Sequence, residues 1–209
     1  MQSTILFLTL LGVSHAQFTS SGQTKILNAH NMLRSEIALG EYYAGDTLQP
    51  PSSAMMKLKW DTFLATSAQK YANTCPDGHS ESFGIGENLY WSWSYNSPTN
   101  LDIIGVQACS SWEAEFEDNG WTSTTFDQET AESGIGHATQ MIWGKTKLIG
   151  CGVKNCGKDA ESSNMYKVVV VCQYKEQGNV EDADIYPPGD TCSFCPSGTK
   201  CESATGLCA

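Results

Sequence analysis

Positive charge is scarce in this chain. Twelve Lys and Arg stand against 23 Asp and Glu, a formal net charge of −11. Nucleic acids are gripped largely by Lys and Arg neutralising phosphates, so a nucleic-acid partner is excluded. Long apolar runs are also missing. Beyond the N-terminus nothing approaches the ~20 apolar residues of a membrane-spanning helix, so no membrane span is expected. There is no N-x-Ser/Thr sequon, since Asn73-Thr74-Cys75 and Asn96-Ser97-Pro98 both miss it, and N-glycosylation is not expected. No G-x-S-x-G elbow occurs, and no cysteine of catalytic type stands beside the candidate histidines, so an activated nucleophile is lacking.

The N-terminus itself reads as a secretory leader. MQSTILFLTLLGVSHA has an apolar core from Ile5 to Val13 and small residues at Ser14 and Ala16. Residues 1–16 are thus assigned as a signal peptide and residues 17–180 as one globular domain. Residues 181–209 are assigned as a linker and a disulfide-rich tail. Nine cysteines fit an oxidising, extracellular compartment, and their odd number leaves one thiol over. In the tail, Cys192, Cys195, Cys201 and Cys208 lack the paired C-x-x-C knuckles of a zinc module, so disulfides are expected.

Within the domain, apolar spacing predicts helices over 24–39, after a cap at Asp61, and over about 101–119. Strands are expected at 147–153 and 165–174, paired antiparallel, with a third at 88–93. This mixture implies helices on both sides of a small sheet.

Three histidines lie outside the leader: His30, His79 and His137. His30 sits beside the apolar stripe of the first helix, where a hydrogen-bonded core histidine is the expectation. His79 and His137 fall in glycine-rich polar segments, each with a nearby Gly-Ile-Gly, and Glu87 follows His79. Two imidazoles and a carboxylate can serve metal binding or acid/base chemistry, or can be structural. LYWSWSY, Leu89 to Tyr95, carries Tyr90, Trp91, Trp93 and Tyr95. These aromatics either pack as a strand edge or offer an apolar ligand surface.

Gly136-His137-Ala138-Thr139-Gln140-Met141-Ile142-Trp143 resembles the G-H-F/Y-T-Q-M-V-W signature of the CAP superfamily, which groups cysteine-rich secretory proteins, antigen-five allergens and pathogenesis-related proteins. Three further segments agree in order. His30-Asn31-Met32-Leu33-Arg34 resembles H-N-x-x-R, Gly86-Glu87-Asn88-Leu89 resembles G-E-N-L, and Val169 to Asn179 resembles the second signature. Ala138 replaces an aromatic and Glu176 a proline. The chain is most similar to the secreted venom allergen-like proteins of nematodes, which carry a short cysteine-rich extension.

The resemblance implies an α+β fold: a three-layer α-β-α sandwich with a small antiparallel sheet, plus the cysteine-rich extension. It also implies a cavity tetrad of two His and two Glu that can hold a divalent cation, Zn or Mg, without being essential to the fold. His79, Glu87 and His137 take three places. Among Glu113, Glu115 and Glu117 the fourth is assigned to Glu115, because Trp112-x-x-Glu115 fits W-x-x-E while the other two share a helix face as like charges. Sterol and fatty-acid binding are carried over from the family, with Tyr90, Trp91, Trp93 and Tyr95 as candidate lipid contacts. The expected function is a secreted, non-catalytic lipid binder, monomeric or dimeric, that modulates host immunity. The alternatives are a metal-dependent hydrolase using the tetrad and a module that engages a host receptor protein.

Cys109 is expected to be the free thiol, as part of the apolar stripe of the third helix. The other eight cysteines are expected to pair as Cys75 with Cys151, Cys156 with Cys172, Cys192 with Cys201 and Cys195 with Cys208. The tail pairing is one of three possible connectivities.

Overall fold

The fold is that of a computed structural model, which describes residues 18–209; the expected leader, 1–16, lies outside the described residues. Among the described residues five helices are present: α1 (Ser20–Leu39), α2 (Thr62–Ala72), α3 (Leu101–Asn119), α4 (Gln128–Glu132) and α5 (Gly136–Met141). The central sheet has four strands: β1 (Lys59–Trp60), β2 (Gly86–Ser94), β3 (Leu148–Asp159) and β4 (Met165–Lys175), in the order β1-β3-β4-β2. It is antiparallel apart from the two-residue β1, which joins β3 in parallel.

Local chemistry sets the helix ends. The Thr19 hydroxyl accepts from Gly22 N–H at 3.2 Å, and Asp61 caps α2 by accepting from Leu64 N–H at 2.8 Å. Gly40 stops α1 with φ +70°, a conformation that L side chains adopt at a cost, and its N–H bonds back to Ile37.

The Val168–Val171 run is buried on both faces, which is why it reads as uninterrupted apolar sequence. Val168, Val170 and Tyr174 join Ile26, Leu33, Ile37, Trp112 and Phe116 of α1 and α3 in the main core. Val169 and Val171 pack with Leu89, Ala68 and Ala72 under α2. Helix α2 can lie directly on β3 because Gly150 and Gly152 lack side chains. A Cβ on Gly150 would meet the Ala65 nitrogen at 2.1 Å, and one on Gly152 the Gln69 Cα at 2.3 Å. The three-layer α-β-α arrangement is therefore present, with α2 on one face of the sheet and α1 and α3 on the other.

The first two disulfides exchange the expected partners. Cys151 pairs with Cys172 and Cys75 with Cys156, in place of Cys75 with Cys151 and Cys156 with Cys172. Cys151 and Cys172 lie directly opposite each other in the β3/β4 register, with Cα atoms 4.1 Å apart. That leaves Cys156, further along β3, for Cys75 at the end of α2. In the tail Cys192 bonds Cys201 and Cys195 bonds Cys208. The tail is sewn to the domain, since Leu207–Cys208 pairs in parallel with Met55–Met56. Cys109 is free and buried, its thiol pushed up to about 12 by burial.

Candidate functional site: two histidine–glutamate pairs

The four expected site residues form two pairs. In the first, Glu87 opens β2 and is already in the strand, because Gly86 and Glu87 pair with Tyr174 and Gln173. Its Oε1 lies 3.2 Å from His79 Nδ1 and accepts from Ser80 N–H at 2.7 Å. Its Oε2 accepts from the Ser80 hydroxyl at 2.7 Å and from Gln173 Nε2 at 3.0 Å. The Glu87 side chain is only 6% exposed, whereas that of His79 is 59% exposed. Burial would raise the Glu87 carboxyl, but the bonds from His79, Gln173 and Ser80 outweigh it and hold the group down at about 2.

In the second pair, His137 sits in the first turn of the short α5, where a loop was expected. Its Nδ1 lies 2.5 Å from Glu115 Oε1. Glu115 Oε2 accepts from the main-chain N–H groups of His137 and Ala138 at 3.0 and 3.1 Å. The imidazole stacks on Trp112, with centroids 6.1 Å apart and planes 13° from parallel. One turn of α3 thus supplies both the carboxylate and the ring that set His137.

A carboxylate can only accept, so each histidine donates through Nδ1–H and keeps its lone pair on Nε2 when neutral. Such carboxylate-oriented imidazoles suit a metal ligand in chemical type. Among the described residues no three His, Cys, Asp or Glu donor atoms lie within 4.8 Å of one another apart from Cys192, Cys195 and Cys208, which are committed to disulfides. The two pairs are thus separate hydrogen-bonded units.

Beneath them runs a chain of polar contacts that the sequence reading did not identify as part of the site. Asn88 Nδ2 donates to the His137 carbonyl at 2.9 Å and to the Tyr174 hydroxyl at 3.2 Å. The Tyr174 hydroxyl lies 2.9 Å from His30 Nε2, and His30 Nδ1 donates to the Ile26 carbonyl at 2.9 Å. That last carbonyl fixes the His30 tautomer, so Tyr174 donates and Asn88 supplies it. Burial pushes His30 down to about 4 and keeps it neutral, as a core histidine. Gln173 and Ser80 were also missed: Gln173 stands opposite Glu87 only through strand register, and Ser80 through the loop's curl.

The aromatic strand divides its side chains. Tyr90 packs against the main core and Trp91 against the cluster under α2, with Trp91 Nε1 donating to the Pro76 carbonyl at 2.9 Å. Trp93 and Tyr95 are exposed, and Trp93 Nε1 donates to Asp159 Oδ2 at 2.8 Å. Trp93 lines a surface cavity of about 480 Å³.

Residues 27–174 match the cysteine-rich secretory protein family, CAP. The chain belongs to the CAP family. It is 36% identical to venom allergen 3 of Solenopsis invicta over 84% of this chain and 76% of that protein. It is 33% identical to venom allergen 5 of Tityus serrulatus, covering 85% of this chain but 42% of that one. The chain thus spans less than half the length of several CAP relatives it matches. Among solved structures, that of BmVAL-1 superimposes with a TM-score of 0.82 at 32% identity, covering 97% of this chain and 98% of that one. The crystal structure of NaASP2 with Zn2+ superimposes with a TM-score of 0.80 at 31% identity, covering 92% and 97%. These structural neighbours are nematode ASP and VAL proteins, in line with the resemblance.

Proposed function

We propose that this CAP protein is a secreted binding protein that holds sterols and fatty acids without turning them over. One observation carries the non-catalytic part: both tetrad carboxylates are occupied as hydrogen-bond acceptors. Glu87, held at about 2, is a weak base at neutral pH, while an effective general base has a pKa near the working pH. The Ser80 hydroxyl meets that weak base and the Ser82 hydroxyl, and the free thiol Cys109 is buried beside His30. Four disulfides support folding in an oxidising compartment, and no described helix is long and apolar enough to cross a membrane. Immune modulation in a host follows from the venom-allergen kinship and is the physiological role assigned to the bound form.

Burying a few hundred Å² of sterol surface at ~25 cal/mol per Å² gives several kcal/mol before association costs, enough for micromolar affinity. Radiolabelled cholesterol should therefore bind saturably. Trp91→Ala/Trp93→Ala should weaken sterol binding about tenfold and leave fatty-acid binding unchanged, while His79→Ala/His137→Ala should bind both lipids normally. Absence of saturable cholesterol binding, or ester or peptide turnover that Glu115→Gln abolishes, would overturn the proposal.

A divalent cation is the second ligand proposed, supported by the carboxylate-bonded histidines and by the zinc in the NaASP2 structure. His79 and His137 would be the direct ligands, with Glu87 and Glu115 setting their tautomers. The bound ion would supply Lewis acidity to an oxygen placed on it. Calorimetric titration of Zn²⁺ at pH 7.5 should give an affinity at least about 30-fold lower for His79→Ala/His137→Ala. Identical isotherms for the two proteins would dismiss this ligand set.

A further inference from the structure

A second cavity of interest, lined by none of the four tetrad residues, lies at the seam between the sheet end and the disulfide-knotted tail. It measures about 350 Å³, within the range of small-molecule pockets. Lys57, Lys59, Lys147 and Lys175 border it. A third of the chain's 12 basic residues are thus gathered at one place in a protein of net charge −11.

Strand register does the gathering. Lys59, Leu148 and Lys175 are successive Cα partners across β1, β3 and β4, and directly paired residues share a face of the sheet. The two lysines therefore flank Leu148, which with Met56 gives the cavity an apolar floor. Lys147 precedes Leu148 and is tied to both neighbours, its N–H donating to the Lys175 carbonyl while its own carbonyl accepts from Lys59 N–H, both at 2.9 Å. Gly198 and Thr199 of the tail form the opposite wall. Cys208, disulfide-bonded to Cys195, accepts from Lys57 N–H at 2.9 Å.

Opposing charge comes from two carboxylates. Lys57 is taken by Glu202 at 2.7 Å, Lys59 also acts on Glu202 at longer range, and Glu176 borders the cavity. Among the described residues Lys59, Lys147 and Lys175 have no carboxylate within 4.0 Å. Register places Lys59 and Lys175 on one face and Lys147 borders the same cavity, so an oxyanion placed there would meet exposed ammonium groups that have no ion-pair partner.

The geometry points to a binding site for an anionic amphiphile: a phosphate or sulfate monoester whose three terminal oxygens meet Lys59, Lys147 and Lys175 while its apolar body lies on Leu148 and Met56. Ammonium groups serve as point-charge partners of such heads. The site does not rest on the tetrad or on the aromatic strand, and its wall is built by the tail.

Calorimetry with decyl phosphate and decyl sulfate, each below its micellar concentration, tests the assignment. Saturable one-site binding is expected for the wild type, tighter for decyl phosphate because of its second charge. Affinity should fall at least tenfold in Lys59→Gln/Lys147→Gln/Lys175→Gln and about threefold in Lys175→Gln alone, a single exposed change that leaves the fold intact. Inorganic phosphate should bind at least tenfold more weakly than decyl phosphate, and decyltrimethylammonium should not bind. His79→Ala/His137→Ala should behave as wild type. No saturable binding, equal affinity in the lysine variants, or equal binding of the cationic amphiphile would overturn the site. Equal affinity for inorganic phosphate would remove the apolar body from the assignment and overturn it as stated.

Discussion

Replacing Arg34 with methionine is expected to cost at least about 5 kcal/mol, comparable with the whole stability of an ordinary domain. Arg34 is fully buried on α1, and its guanidinium meets only main-chain carbonyls. Nε and Nη2 donate to Met56 at 2.9 and 2.6 Å. Nη1 donates to Met141 and Trp143, both at 3.0 Å, and Nη2 also reaches Gly144 and Thr146 at 3.4 and 3.1 Å. Burial lowers the group to about 9, so it stays charged at neutral pH. Methionine matches the length and fills much of the volume but leaves five carbonyls without this donor, at about 1–3 kcal/mol each before relaxation. Buried charges can sometimes be replaced by apolar residues without loss when both partners change together. Here the carbonyls remain. They belong largely to the segment that follows α5, so the same substitution should loosen His137. Thermal unfolding should show Tm lowered by more than about 10 °C, or no cooperative transition, with Arg34→Lys in between. A fall under about 4 °C for Arg34→Met would show that water or a shifted backbone satisfies these carbonyls.

The same residue illustrates what could be read from sequence. Arg34 was visible within His30-Asn31-Met32-Leu33-Arg34 as part of a resemblance, but nothing in its spacing says that it binds carbonyls a hundred residues away. Residues governed by near neighbours were legible: Asp61 as a cap, the end of the first helix at residue 39, and Cys109 on the stripe of α3. Glu115 was chosen over Glu113 and Glu117 chiefly through the resemblance, by W-x-x-E, with the like-charge pair on one helix face in support, and the structure puts its carboxylate on His137. What escaped depends on register. Cys151 faces Cys172, and Gln173 faces Glu87, only because β2, β4 and β3 align as they do. A shift between Asn155 and Gly157 resets that alignment beyond Cys156, and no local pattern in the sequence announces it. The aromatic strand is a middle case: its sequence left a packed edge and an open apolar surface as alternatives, and the structure divides them, with Tyr90 and Trp91 packed and Trp93 exposed.

Acid should unfold the protein in two successive steps, each traceable to one buried group. His30 has a folded pKa of about 4 against an ordinary 6.5. Between those values the unfolded chain binds a proton that the folded chain refuses, so stability falls as pH drops from 6.5 to 4. The loss is about 3 kcal/mol at 1.36 kcal/mol per pH unit. Glu87 has a folded pKa of about 2 against an ordinary 4.5. Its contribution is complete above 4.5 and is lost as pH falls toward 2, again by up to about 3 kcal/mol. The windows barely overlap, so denaturant unfolding at pH 7, 5.5, 4 and 2.5 separates them. His30→Gln should be less stable at pH 7, because an amide reproduces the bonds to Ile26 and Tyr174 imperfectly, yet its stability should be nearly flat between pH 6.5 and 4. Glu87→Gln should keep the His30 slope and flatten the lower window. If wild type and His30→Gln lose stability in parallel between pH 6.5 and 4, the upper step belongs to another group and the neutral His30–Tyr174–Asn88 chain is not what acid breaks first.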